Sequence, residues 1–255
     1  MHRSELVDLA LSGVAETLLI PLYNRAMELQ RPDALMMDQR AVEIVAQMSY
    51  DFDQVRKIRI HEANKVARIM LTREINGYAR DFLSRNPDAV VVHIGCGLDT
   101  RFERVDNDRV EWYDLDLPDV IGLRQEFIGD EGERYNLMAC SVFDDGWLEA
   151  VQVHSQRPFL FLAENVFVYF AEAQVKSLVL RLRDHFPVRN WSSTAGHHSS
   201  FGWVASSSPT QSLEASCAGD SGAVRQLKVG ARASSCSASG VSSTGLSRGW
   251  IPIAG

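Results

Sequence analysis

One stretch, Ala89 to Pro118, constrains this chain more than any other. It reads A-V-V-V-H-I-G-C-G-L-D-T-R-F-E-R-V-D-N-D-R-V-E-W-Y-D-L-D-L-P. Val90, Val91, Val92 and Ile94 form a β-branched run between Pro87 and a glycine turn. That is the pattern of a parallel strand buried on both faces. Gly95 and Gly97 let the backbone turn sharply and approach a ligand with no Cβ in the way. A helix is expected next, then a second apolar run, Val110 to Tyr113, that ends in Asp114 and Asp116. An acid about 20 residues past the glycine turn, at the tip of the next strand, is placed to accept both hydroxyls of a ribose.

The stretch therefore predicts a Rossmann-like nucleoside site. It suits a dinucleotide less well. That fingerprint needs a third glycine, for the pyrophosphate and for close helix packing, and Thr100 stands there instead. A nucleoside cofactor without a pyrophosphate is the better reading, and S-adenosylmethionine is the common one. An NAD-dependent oxidoreductase and a plain strand-to-helix turn are the alternatives.

The run G-C-G-L-D-T-R-F, from Gly95 to Phe102, followed by D-L-D-L-P, resembles the leucine carboxyl methyltransferase family, which includes the tetracenomycin-type polyketide O-methyltransferases. The resemblance extends from about Ser12 to Pro187. It implies an α/β fold, a Rossmann-like class I methyltransferase sheet beneath an N-terminal helical cap. It implies S-adenosyl-L-methionine as cofactor and a small, polyketide-like acceptor methylated on a carboxylate or hydroxyl oxygen. The cofactor-binding set it implies is Gly95, Gly97, Asp99, Asp116, Ser141, Val142 and Glu164. Ser141 and Val142 would flank the adenine; many relatives carry an acid at the Ser141 position, which would make that contact weaker here.

The cap is expected over residues 1–86. Residues 5–30 read as a helical segment kinked or divided by Pro21. Further helices are expected at Asp38 to Gln47, Phe52 to Leu71, and a fourth closing at Phe82 and Leu83 before Asn86-Pro87. L-I-P-L-Y-N-R-A-M resembles the family's substrate-covering helices, which places Tyr23, Arg25 and Asp38 near the cleft. Arg73 lies just before the Rossmann unit, where the family tends to carry a basic residue that meets the cofactor carboxylate.

The cofactor-binding core is expected over residues 87–187. Tyr135 to Cys140 reads as the third strand and Phe159 to Ala163 as the fourth. Glu164 ends the fourth, where open α/β sheets bind ligands, and can face the cationic sulfonium and amino group of the methyl donor. A-E-N-V-F-V-Y-F resembles the family's A-E-x-x-x-x-Y segment, with Tyr169 packing or lining the acceptor pocket. Asp144 is either part of the family's run or a helix N-cap before Trp147 and Leu148. Glu172 to His185 reads as an amphipathic helix with Val175, Leu178, Val179 and Leu182 on one face.

After Pro187 the composition changes. The last 68 residues hold 17 Ser, 9 Ala and 9 Gly, and their only acids are Glu214 and Asp220. Such a tail, 188–255, reads as disordered or out of frame. Codons allowed for Val188 to Ser200, read from the third base of Val188, permit A-E-L-V-F-D-G-W-S-P-F, a strand and turn of family type. A frame shift near codon 188 is the hypothesis, and a gene sequence across codons 180–200 that lacks this reading removes it. With the C-terminal strands missing, the fourth strand is expected to be an exposed apolar edge, and the chain an unstable, inactive remnant.

A net charge of −7 argues against a nucleic-acid partner. No apolar run is long enough for a membrane span. Cys96, Cys140, Cys217 and Cys236 show no metal spacing, so no metal is expected and a reduced, cytoplasmic setting is. No catalytic base is named, because a carboxylate acceptor with a pKa of about 4 is already ionised at neutral pH. His93, inside the first strand, is expected to pack rather than react. The oligomeric state is not readable.

Overall fold

A computed structural model describes residues 7–8, 14–58, 60–129, 132–186, 202–207, 215–218 and 224–227, with side chains from 18 to 186 of these. A two-residue strand β1 (Val7–Asp8) pairs in parallel with β2 (Met48–Ser49). Between them lie α1 (Val14–Glu28) and α2 (Gln39–Gln47). Two more helices, α3 (Asp53–Lys57) and α4 (Glu62–Arg85), complete the cap.

Three expectations for the cap are corrected. Pro21 does not divide α1, which runs through it unbroken. An interior proline removes one backbone bond, a cost of about 3 kcal/mol. Leu19, Leu22, Tyr23 and Ala26 flank it, buried against Ala41 and Ile44 of α2, and that burial outweighs the loss. The helix expected from Phe52 to Leu71 is interrupted at Ile58, whose backbone is extended. Finally, α4 runs continuously to Arg85 through Gly77, because Ile75, Ala79, Phe82 and Leu83 are buried on either side of the glycine.

The central sheet follows the sequence closely. Its strands are β3 (Val90–Ile94), β4 (Glu111–Asp116), β5 (Tyr135–Ala139), β6 (Phe159–Glu164) and β7 (Gly202–Ser207), in the order β5-β4-β3-β6-β7. The first four are parallel and connected by α5 (Arg101–Val105), α6 (Pro118–Phe127) and α7 (Gly146–Gln152). On one face Val90, Val92, Ile94 and Phe161 pack against α7 and α8 (Glu172–His185). On the other, Val91, Trp112, Leu160 and Leu162 pack against α4 and α5.

The expectation that β6 would be an open edge is corrected. β7, drawn from the Ser-rich stretch, pairs with it antiparallel, with Phe159 opposite Ser207 and Glu164 opposite Gly202. Two further strands, β8 (Ala215–Ala218) and β9 (Val224–Leu227), form an antiparallel pair apart from this sheet. The rest of the expected disordered tail lies outside the described residues.

Candidate methyl-donor site

The glycine turn after β3 takes the conformation that its residues predict. Gly95 has φ +64° and Gly97 φ +51°, the left-handed region that side chains rarely enter. Space also forbids a side chain at Gly95, where a Cβ would lie 2.5 Å from Cγ2 of Val166. The turn is fastened to β4: the Gly95 N–H donates to the Leu115 carbonyl at 2.8 Å. The Gly97 N–H donates to Asp116 Oδ2 at 2.8 Å, and the Leu117 N–H to Asp116 Oδ1 at the same distance.

Beside this turn lies a cleft of about 360 Å³, within the range of small-ligand sites. All seven residues named from the sequence, Gly95, Gly97, Asp99, Asp116, Ser141, Val142 and Glu164, line it. The strand tips bring them together, as the switch-point rule for open α/β sheets requires. Leu18, Pro21 and Arg25 of α1 contribute from the cap.

The three carboxylates differ in their surroundings. Burial pushes the Asp116 carboxyl above its ordinary pKa, and the N–H bonds from Gly97 and Leu117 oppose this in part. Burial opposes ionisation of Asp99 too. There the guanidiniums of Arg101, Arg104 and Arg25 outweigh it and hold the carboxyl well below the usual range. Glu164 accepts from Thr72 Oγ1 at 2.6 Å and from the Arg101 guanidinium.

Arg101 is fully buried and makes a four-way junction. It donates to Asn76 Oδ1 at 2.9 Å, meets His93 Nε2 at 3.3 Å, and pairs with Asp99 at 3.0 Å and with Glu164. A guanidinium only donates, so His93 Nε2 accepts and the ring carries its proton on Nδ1, 3.3 Å from Asp114 Oδ1. His93 therefore packs, as expected. A second hub is Asp38, the N-cap of α2. It accepts from Arg25 at 2.9 Å, Arg104 at 2.7 Å, Thr100 at 2.9 Å and the Ala41 N–H at 3.0 Å. Three guanidiniums and three carboxylates thus tie the cap to the glycine turn and to β6.

Sequence reasoning missed the support beneath the turn. Arg124 of α6 donates to the Gly97 carbonyl at 2.6 Å and the Asp99 carbonyl at 2.9 Å. Its other nitrogen bonds Asp114, which also accepts from Tyr135 Oη at 2.7 Å and Trp112 Nε1 at 2.8 Å. An arginine in an amphipathic helix ordinarily reads as a solvated residue, so no local signal marks this one.

Other expectations are refined or corrected. Arg73 is exposed on α4 and does not line the cleft; its neighbour Thr72 is the α4 residue that reaches Glu164. Tyr23 stacks on Phe52 at 5.1 Å, away from the cleft lining, while Arg25 is on the wall and Asp38 behind it. Asp144 is not the cap of α7, which starts after Asp145. It accepts the Ser141 N–H at 3.0 Å and closes the turn after β5. Tyr169 lines the cleft and is 63% exposed.

The leucine carboxyl methyltransferase profile matches residues 19–182. The chain belongs to the leucine carboxyl methyltransferase family. A tetracenomycin polyketide synthesis O-methyltransferase, TcmP of Streptomyces glaucescens, is 38% identical over 180 residues, 69% of this chain and 64% of the relative. An S-adenosyl-L-methionine-dependent methyltransferase, dpfgK of Gibberella zeae, is 32% identical over 187 residues, 69% of this chain and 62% of the relative. The chain thus spans less than two thirds of the length of these curated relatives. A solved apo S-adenosylmethionine-dependent methyltransferase, SibL, gives a TM-score of 0.32 at 12% identity, covering 77% of this chain and 76% of its own.

S-adenosylmethionine is the cofactor of the leucine carboxyl methyltransferase family. The NAD alternative falls with that assignment. Thr100, at the missing third glycine, instead donates its hydroxyl to Asp38. The profile match ends at residue 182, close to the break expected at Pro187. Among the described residues no helix is long and apolar enough to cross a membrane.

Proposed function

We propose that the chain transfers a methyl group from S-adenosylmethionine to an oxygen of a small, polyketide-like acceptor, a carboxylate in the first instance. The observation that carries this reading is the convergence of Asp99, Asp116 and Glu164 on one cleft beside a left-handed glycine turn. The bound cofactor supplies an electrophilic methyl on a cationic sulfur. The residues fit such a ligand. Of the carboxylates on the cleft wall, Asp116 is held by the Gly97 and Leu117 N–H groups and Glu164 by Thr72 and Arg101, which suits a molecule with a ribose and a positive group.

Asp116 accepts the ribose hydroxyls, and Ser141 and Val142 border the adenine. Glu164, fixed by Thr72 and Arg101, faces the cationic centre. The chain's task is to align acceptor oxygen, methyl and sulfur and to exclude water. With the donor bound, the acceptor oxygen would form its bond to the methyl carbon as the carbon–sulfur bond broke, its electron pair remaining on sulfur. No general base is required for an ionised carboxylate, whereas a phenol with a pKa of about 10 benefits from one. The imidazole on the wall is committed: His93 has Arg101 at one nitrogen and Asp114 by the other. That favours the carboxylate.

Calorimetric titration of S-adenosylhomocysteine tests the site. Asp116→Asn is expected to weaken binding about 10–100-fold, as for the loss of a charged hydrogen-bond partner. Equal affinity in the two proteins overturns the assignment. The end of the family match at residue 182, followed by a Ser-, Ala- and Gly-rich stretch, favours a second reading, in which the chain binds the cofactor without turnover. Binding of S-adenosylhomocysteine with no methylated product from any aromatic acid distinguishes it.

A further inference from the structure

We propose that Thr72 is a positioning residue for Glu164, and that through it the cap sets how strongly the cleft prefers a cationic donor over a neutral nucleoside; this rests on the methyl-transfer reading above. Thr72 lies in α4 and is 4% exposed. It does not line the cleft, whereas Glu164 does. Its hydroxyl reaches Glu164 Oε1 at 2.6 Å, across 92 residues of sequence.

A threonine inside a helix ordinarily turns its hydroxyl back to the carbonyl four residues earlier. That acceptor is present here, the Arg68 carbonyl at 3.1 Å. A hydroxyl has a single proton to donate. The carboxylate is the nearer of the two acceptors, and a bond to an ionised acceptor is shorter and stronger than one to a neutral carbonyl. The proton therefore goes to Glu164, and the cap helix holds a residue of the cleft wall.

The other donor to Glu164 is charged. Arg101 is fully buried, off the cleft lining, and shared between Glu164 and Asp99. A guanidinium in that place draws the carboxylate inward and cancels part of its charge. The Thr72 hydroxyl holds the other oxygen and adds no charge. The two donors together fix the plane of the carboxylate and leave it negative toward the cleft. Without the hydroxyl, the carboxylate is free to turn both oxygens to Arg101, in the paired geometry that guanidiniums favour. Its pull on a cation in the cleft then weakens. A nucleoside with no charge feels none of this.

The test is calorimetric titration of the whole chain with S-adenosylmethionine and with 5′-methylthioadenosine, which has the same adenine and ribose but no charged group. Thr72→Val keeps the shape of the side chain and loses the hydroxyl. It is expected to bind S-adenosylmethionine about tenfold more weakly, as for the loss of a hydrogen bond to a charged group, and methylthioadenosine within about twofold of the wild type. Thr72→Ser, which keeps the hydroxyl, should keep the wild-type preference. In a Glu164→Gln background the valine substitution should cost no more than about twofold, because the charge that Thr72 positions is already gone. Equal loss for the two ligands in Thr72→Val overturns the proposal and leaves a packing role. So does an unchanged S-adenosylmethionine affinity, or a full tenfold loss in the Glu164→Gln background. In each of these cases the wild type still binds both ligands, and the donor reading stands. A wild type that binds neither ligand brings down the donor reading, and this proposal with it.

Discussion

On the β5-β4-β3 side of the sheet every strand is parallel and every tip feeds the cleft. On the β6-β7 side the partner strand is antiparallel and comes from a Ser-, Ala- and Gly-rich stretch beyond the family match. The first side carries its own support: Arg124, Asp114 and Tyr135 hold the glycine turn from beneath. The second contributes Glu164, Asn165 and Tyr169 from a single strand tip. The contrast teaches that the glycine turn and its acid, Asp116, are built locally, from consecutive β-α-β units, while Glu164 on the far wall of the cleft comes from a strand much farther along the chain.

The junction between the two sides is Arg101, and breaking it has the largest expected effect. Arg101→Met leaves Asp99 and Glu164 as buried carboxylates short of a partner. Breaking a buried pair from one side costs about 3–5 kcal/mol. For a chain of this size that lowers the melting temperature by roughly 6–20 °C. A shift under about 2 °C would mean that Arg104 and Arg25 neutralise Asp99 unaided, and that the two sides are not coupled through this residue.

The strands were legible because buried parallel strands read as short, continuous apolar runs, and each of β3 to β6 begins and ends within a residue of its expected place. Asp116 was legible by spacing, and Glu164 by standing directly after five apolar residues. The polar junctions were not. Arg101 reaches Asn76 and Glu164, Arg124 reaches Gly97 and Asp38 reaches Arg104 across 25 to 66 residues of sequence, and nothing in their local windows distinguishes a buried arginine from a solvated one. The continuity of α4 was misread because Gly77 weakens the local pattern, while the burial that sustains the helix comes from β3 and β6. The pairing of β7 had no periodic signal at all.

Acid sharpens the same comparison with a smaller effect. The folded state holds the Asp99 carboxyl well below its ordinary pKa, and Asp114 is lowered as well, with Arg124 outweighing burial there. A depressed carboxylate contributes stability above its unfolded pKa of about 4, and that contribution is lost as pH falls through the folded value. Asp116 is raised, so it has the opposite sign: it favours the folded state when protonated and loses that contribution as pH rises through its folded pKa. Melting temperature is therefore expected to fall steeply below about pH 4, dominated by Asp99 and Asp114. Asp99→Asn should flatten this limb. An unchanged acid limb in that variant would show that Asp99 is not held by the arginines as described.

The smallest effect is expected from removing the second side's outermost strand. A chain stopped at Pro187 retains every residue of the proposed donor site, since the cleft lining ends at Phe170. Its S-adenosylhomocysteine affinity should stay within twofold of the full chain. What changes is the flank of β6: without β7, the run Phe159, Leu160, Phe161, Leu162 presents unpaired backbone groups along an apolar strand, an arrangement prone to edge-to-edge association. Light scattering on warming should rise earlier in the shortened chain than in the full one. Equal scattering would mean that β7 does not protect the edge in solution. A fall in cofactor affinity beyond twofold would mean that the two sides are coupled after all, through β6 itself, because Glu164 stands at the end of the strand that β7 braces.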